Sequence, residues 1–291
     1  MDISEFILKH LQLPSPIQEI FEDEWKEKNI QVFVKRDDLI HSIISGNKWR
    51  KLKEYIDLAQ KNKSNSIISF GGAYSNHLYA LAFLGQQLNI NTIGLIRGNE
   101  LSKNSNPFLK QISEWGMKLY FLDRENYRKK VIPKEIALEN VLIIPEGGFS
   151  ELGVIGVECL INEMNEQIKA EYIITAVGTG TTAIGLSQYS KMKTIGILTL
   201  NNKNEIESNF KQLGIEKYLA INENYVFGKY AKESNVLTEF CKSFHTKHGI
   251  MIEPVYTGRM FYGLCDLIRQ NYFPENSKII ALHTGGVKLS D

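Results

Sequence analysis

The stretch YIITAVGTGTTAIGLSQ, Tyr172 to Gln188, decides how the rest of the chain is read. Tyr172–Val177 is mostly apolar and β-branched, the composition of a strand covered on both faces. Gly178 and Gly180 then interrupt the run, and Ile184 and Leu186 begin a helical pattern. Strand, glycine turn, helix is the repeating unit of an α/β protein with a mainly parallel sheet. The two glycines let the backbone turn tightly and aim successive N–H groups at one spot, and Thr179, Thr181 and Thr182 add hydroxyl donors. With the positive end of a helix beside them, these residues make an anion cradle suited to a phosphate. The spacing fits neither G-x-x-x-x-G-K-[ST] nor G-x-G-x-x-G, which disfavours a P-loop nucleotide site and a simple dinucleotide fingerprint.

The same grammar recurs on either side. Apolar runs at 30–37, 66–72, 91–98, 117–123, 141–148, 193–200 and 278–286 read as further strands, most of them followed by helical spacing. Leu78, Leu81, Ala82, Gly85 and Leu88 mark one helix, and Ile155, Cys159, Leu160 and Ile168 mark another. Several runs end in glycines, and open α/β sheets bind their ligands outside the carboxyl ends of the strands. The longest helical stretch, about Lys229 to His248, carries Leu237, Phe240, Cys241 and Phe244 as a core stripe. No linker, internal repeat or low-complexity segment separates two halves, so two domains would be interleaved.

Composition narrows the function classes. Lys+Arg 34 against Asp+Glu 33 leaves a net charge of +1, so no global field favours nucleic acid or a membrane surface. The local run RENYRKK, Arg124–Lys130, reads as a solvated face. No stretch approaches the roughly 18 apolar residues that span a bilayer, and MDISEFILKHLQ lacks a secretory pattern. Cys159, Cys241 and Cys265 form no C-x-x-C and no metal-type Cys/His pairing, so they read as small hydrophobes in a reduced, cytoplasmic compartment with no metal site.

Three more stretches could carry chemistry. In SFGGAYSNHLYALA (69–82), Ser75 or Asn76 would cap a helix. Ser75, Asn76 and His77 together offer donors to a substrate carboxylate or a cofactor ring oxygen. In ISGNKWRKLKEY (44–55), Gly46 lets the chain enter a helix capped by Asn47 and beginning at Lys48. The positive dipole end and nearby cations there lower a lysine's pKa, which favours the neutral amine that a nucleophile needs. Arg50, Lys51 and Lys53 read as neighbours that keep Lys48 neutral or face solvent. In IEPVYTGRMFYGL (252–264), Pro254 and Gly258 shape a turn with Tyr256 and Thr257 at its mouth.

These stretches occur in order with SPIQEI (15–20), VKRDDLIHSIISGNKWRKL (34–52), IPEGGFSELGVIG (144–156) and LHTGG (282–286). Together they resemble the pyridoxal-phosphate (PLP) enzymes of the tryptophan-synthase-β-like fold, fold type II, and within them the 1-aminocyclopropane-1-carboxylate (ACC) deaminase / D-cysteine desulfhydrase family. The resemblance implies two interleaved three-layer α/β/α domains with mainly parallel sheets. Residues 1–45 plus 155–291 would form the large PLP-binding domain and 46–154 the small one, with the active site in the cleft between them. It implies that Lys48 bonds covalently to PLP and that Gly178, Thr179, Gly180, Thr181 and Thr182 hold the phosphate. Asn76 would bond the ring oxygen, while Ser75, Asn76 and His77 would receive the substrate carboxylate. Tyr256 and Tyr230 would lie close to ring and substrate as catalytic candidates, with Ser75 beside them.

The residue after the motif tyrosine is glutamate in ACC deaminases and Thr257 here, matching the D-cysteine desulfhydrase pattern. A hydroxyl cannot hold a protonated pyridinium as a carboxylate does. The implied reaction is therefore β-elimination on a small amino acid, foremost D-cysteine to pyruvate, sulfide and ammonia. ACC deamination or racemisation on the same fold is the alternative, and a PLP-fold protein that binds ligand without turnover is the reading from another class. A homodimer is implied. Two departures from the pattern are expected to matter: Thr181 stands where a third glycine is common, and the chain stops soon after Gly286, which would alter one wall of the site.

Overall fold

The computed structural model describes residues 2–44, 46–213, 219–227 and 235–286. Its strands, in chain order, are β1 (Ile17–Ile20), β2 (Gln31–Lys35), β3 (Ser66–Gly71), β4 (Asn91–Arg97), β5 (Lys118–Leu122), β6 (Val141–Ile144), β7 (Tyr172–Val177), β8 (Lys193–Leu198), β9 (Leu219–Asn222) and β10 (Lys278–Leu282). They build a six-stranded sheet in the order β1-β2-β10-β7-β8-β9 and a four-stranded sheet in the order β5-β4-β3-β6. Among the described residues only β1, on β2, pairs antiparallel. This is the α/β class with mainly parallel sheets that the sequence leads one to expect. All eight anticipated strands are present. The two that sequence reading missed, β1 and β9, are four-residue edge strands with few buried side chains, too short for periodicity to reveal.

The described chain divides into two compact units. The first comprises Met1–Leu11, His41–Ile44 and Lys48–Gly156 and contains the four-stranded sheet. The second comprises Gln12–Ile40, Ser45–Asn47 and Val157–Asp291 and contains the six-stranded sheet.

Period-two alternation explains why the central strands read as unbroken apolar runs. Along β7, Ile174 and Ala176 join Ile279 and Ala281 of β10 in one cluster, while Ile173 joins Ile280 and Leu282 in another. Successive side chains leave a strand on opposite faces, so both faces of this sheet are dry. One face is covered by Met260, Phe261 and Leu264 from helix Thr257–Arg269 and by Cys241 and Phe244 from helix Asn235–His248. The other is covered by Leu160, Ile161 and Met164 from helix Glu158–Gln167 and by Leu186 from helix Thr181–Tyr189. Each fully buried aliphatic side chain contributes about 1.5–3 kcal/mol to holding these layers.

Two periodic readings need adjustment. Leu237, Cys241 and Phe244 are buried as expected, with Phe240 packed against them from a partly exposed position. The stripe Ile155, Cys159, Leu160, Ile168 does not lie on one helix. The chain forms helix Glu151–Ile155 and then helix Glu158–Gln167, leaving Ile155 42% exposed. The break follows at Gly156, whose backbone passes so near helix Asn47–Lys61 that a Cβ there would sit 2.1 Å from the Arg50 carbonyl oxygen. The RENYRKK run is solvated except for Tyr127, which is buried with Lys130 Nζ 4.1 Å above its ring. Among the described residues no helix is long and apolar enough to cross a membrane.

Candidate active site

In the second unit, β7 ends at Val177 and a helix begins at Thr181, with Gly180 at the cap position in a left-handed conformation, φ +91°. Among the described residues no side chain caps this helix, so its first N–H groups stay available to a ligand. Two asparagines orient the turn. Asn202 Nδ2 donates to the Gly178 carbonyl at 3.0 Å, and Asn209 Nδ2 donates to the Thr179 carbonyl at 3.3 Å. Because C=O and N–H point opposite ways across a planar trans peptide, the N–H groups of Thr179 and Gly180 face away from these asparagines. Sequence reading missed both, because they lie 24 and 30 residues beyond their partners and only the course of β8 returns them to the turn.

The cradle is tightly packed. A Cβ on Gly178 would stand 3.2 Å from the Tyr256 ring, and one on Gly180 would stand 3.2 Å from Ile206 Cδ1. Thr181 needs no glycine-like freedom, because it is already the first helical residue and Gly180 takes the positive φ. Thr181 and Thr182 are buried, and the Thr182 hydroxyl accepts from Asn47 Nδ2 at 3.2 Å. An uncapped helix start, two glycines held open and three threonine hydroxyls form a donor set that fits a phosphate monoester.

The same unit also holds Gly46 and Asn47, the two residues before Lys48 in the chain. Gly46 adopts φ +65°, and a Cβ there would lie 1.9 Å from the Thr284 carbonyl oxygen. Its N–H donates to the Asp37 carbonyl at 2.7 Å, and the N–H of Asn47 donates to the Thr284 carbonyl at 3.2 Å. Asn47, expected as the cap, is itself the first helical residue.

Tyr256 and Thr257 follow a turn organised by Glu253, a residue the sequence did not single out. The Glu253 carboxylate accepts backbone N–H groups from Val255 at 2.7 Å and from Tyr256 and Thr257 at 2.8 Å each. The cost of leaving water outweighs these bonds and raises its pKa. The buried Thr257 hydroxyl accepts the Glu253 N–H at 3.0 Å and donates to Glu253 Oε1 at 3.2 Å. Arg259, almost fully buried, pins the start of the following helix by donating to the carbonyls of Pro254 and Thr199.

In the first unit, Lys48 is half-buried on helix Asn47–Lys61. Its neighbours depart from the solvent-facing expectation, since Arg50 is 1% and Lys51 5% exposed. Lys53 is half-buried and pairs with Glu54 at 2.8 Å. Lys51 donates to the Gly147 carbonyl at 3.1 Å, and its pKa falls to about 7, chiefly from desolvation and then from repulsion by Lys48.

The Ser75–Asn76–His77 segment opens helix Asn76–Leu88, with Ser75 as cap accepting the Leu78 N–H at 3.3 Å. Ser75 and Asn76 are half-buried, but His77 is 3% exposed and turned inward. His77 Nε2 lies 2.9 Å from Ser69 Oγ, whose hydrogen goes to the Ile144 carbonyl, also at 2.9 Å. Burial, then Lys51 and Lys48, press its pKa down to about 3, so the ring is neutral and gives its one N–H to Ser69. His77 therefore has no hydrogen for a carboxylate, contrary to its expected role, and Ser75 and Asn76 are the donors left. Tyr230 lies outside the described residues.

Comparison with known proteins agrees with this chemistry. The family described as "Pyridoxal-phosphate dependent enzyme" matches residues 9–285. A Pyrococcus horikoshii protein provisionally named as a 1-aminocyclopropane-1-carboxylate deaminase is 30% identical, over 90% of this chain and 86% of its own. The bifunctional D-cysteine desulfhydrase/1-aminocyclopropane-1-carboxylate deaminase of Arabidopsis thaliana is 28% identical, over 97% of this chain and 78% of its own. The crystal structure of an ACC deaminase homologue superposes with a TM-score of 0.79 at 28% identity, covering 99% of this chain and 96% of that one.

Proposed function

The chain belongs to the pyridoxal-phosphate-dependent enzymes, and on that premise we propose that it is a carbon–sulfur lyase acting by β-elimination on a small amino acid, D-cysteine foremost. Pyruvate, sulfide and ammonia would be the products. The observation that carries this reading is Thr257, a hydroxyl held by Glu253 where an ACC deaminase has a carboxylate of its own.

Each unit has its own tasks in this reading. In the second, the N–H groups and hydroxyls of Gly178–Thr182 hold the phosphate, and Tyr256 flanks the ring. In the first, Lys48 is the covalent anchor, Asn76 bonds the ring oxygen, and Ser75 with Asn76 receives the substrate carboxylate. PLP, when bound, supplies a covalent hold on the amino group and a sink for the electrons left when the Cα proton departs. The Lys48 amine would be the base for that proton. A Thr257 hydroxyl whose hydrogen is committed to Glu253 would not hold a ring nitrogen protonated. A weaker sink of that kind suits loss of a good leaving group such as thiolate better than opening of a cyclopropane.

A second reading, ACC deamination, draws on the Glu253 carboxylate, which touches Thr257 and would supply the charge that Thr257 lacks. Purified protein should take up PLP with a visible absorption band that Lys48→Ala abolishes, and failure to bind PLP would end both readings. Sulfide released from D-cysteine, with no ammonia from ACC, separates the first from the second. Thr257→Glu should weaken elimination, and an unchanged rate would sink the argument from Thr257.

A further inference from the structure

Two buried polar groups in the first unit have bonding capacity that the roles above leave unused. Ser69 has one hydroxyl hydrogen, and it is given to the Ile144 carbonyl, which can only accept. Ser69 Oγ must then accept from His77, which places the imidazole proton on Nε2 and leaves Nδ1 a bare lone pair. Nδ1 is buried and has no partner among the described residues. A buried acceptor without a donor costs about 1–3 kcal/mol, so it marks a place where a donor belongs.

A donor stands close by. Lys51 is buried, and among the described residues its one hydrogen bond goes to the Gly147 carbonyl, leaving further N–H capacity. Its stem and the His77 ring border the same small space at Gly148. A Cβ on Gly148 would lie 3.4 Å from Lys51 Cβ, 3.5 Å from Lys51 Cδ and 3.7 Å from His77 Cε1, the ring atom between the two nitrogens. Lys48 is the charged group that bears on Lys51, and Lys51 with Lys48 are those that bear on His77.

We propose that His77 is a positioning residue for a second working amine, its Nδ1 accepting a hydrogen from Lys51 and holding that amine ready to carry protons beside Lys48. Ser69 and the Ile144 carbonyl set the tautomer, the tautomer presents the acceptor, and the acceptor fixes the amine. The amine titrates near neutrality, as a group that both gives and takes protons should. This inference rests on the first unit alone and holds whichever amino acid is the substrate.

The test is nitrogen NMR of the full chain, with and without PLP, with histidine and lysine side chains labelled and His77 assigned by its loss in His77→Asn. Nε2 should carry the proton throughout the neutral range, and Lys51→Met should move the Nδ1 resonance downfield as its hydrogen bond is lost. Asparagine keeps an acceptor where Nδ1 sits, whereas glutamine keeps a polar group only where Nε2 sits. Losing an acceptor disfavours the ammonium, so His77→Gln should lower the Lys51 midpoint by about one unit, and His77→Asn should leave it nearly unchanged. A proton on Nδ1, an Nδ1 resonance indifferent to Lys51→Met, or equal Lys51 shifts in the two His77 variants would overturn the proposal. If His77→Gln does not fold, Lys51→Met still decides, because it leaves His77 in place. The readout is made in the PLP-free chain as well, so failure here is distinct from failure of the lyase reading.

Discussion

The two glycine turns at Gly71–Ser75 and Gly178–Thr182 share one grammar: a buried parallel strand, a glycine break, then a helix. Their helix starts are opposite in kind. At the first, Ser75 caps the helix, and the turn is so closed that a Cβ on Gly71 would meet Ser75 Oγ at 2.5 Å and Leu78 Cδ1 at 2.7 Å. At the second, no side chain among the described residues caps the helix, and outside asparagines hold the carbonyls so that the N–H groups face elsewhere. One turn closes on its own Ser75 cap and presents side chains; the other leaves its first backbone donors without a side-chain cap among the described residues. Glycine content cannot distinguish them, but the capping residue can.

That contrast can be broken by mutation. Gly180→Val should have the largest effect. It forces a β-branched residue to positive φ and crowds Ile206, which costs about 1–3 kcal/mol in backbone strain. PLP affinity, measured by fluorescence titration, should fall roughly tenfold to a hundredfold on that energy. Asn202→Ala and Asn209→Ala should each lower PLP affinity by up to about tenfold, the worth of one orienting hydrogen bond, with thermal stability little changed. An affinity indifferent to both would mean that the carbonyls need no outside hold. Ser75→Ala should do least for PLP and act on local stability instead. Losing the cap costs about 1 kcal/mol, read as a small drop in denaturation midpoint with phosphate affinity intact. A large loss of PLP affinity in Ser75→Ala would erase the distinction between the turns.

The long parallel strands and the glycine turn at Gly178–Thr182 were legible because each depends on local grammar, namely apolar runs, glycine breaks and helix starts. What sequence could not reveal depends on distant partners. Asn202 and Asn209 look like ordinary polar residues after a strand until β8 brings them back to Gly178 and Thr179. Of the two readings open for Arg50 and Lys51, facing solvent or crowding Lys48, burial removes the first, although burying cations generally costs free energy. His77 was legible as a polar residue in the right place, but its role as an acceptor follows from Ser69 and Ile144, residues with no motif of their own. Glu253 went unnoticed beside the more conspicuous Tyr256 and Thr257, although it organises their turn.

The central place of β10, between β2 and β7, has a consequence for how a copy of this protein is made. Translation finishes β8 at Leu198 and reaches Lys278 only 278 − 198 = 80 residues later. At roughly 5–20 residues per second that takes roughly 4–16 s. Until then β2 and β7 each lack the neighbour that completes their ladder, and unpaired strand edges invite foreign strands. The four-stranded sheet, complete by Ile144, has no such wait. A nascent chain stalled before Lys278 would hold one finished sheet and one split down its middle, and the split is where an incomplete copy would begin to aggregate.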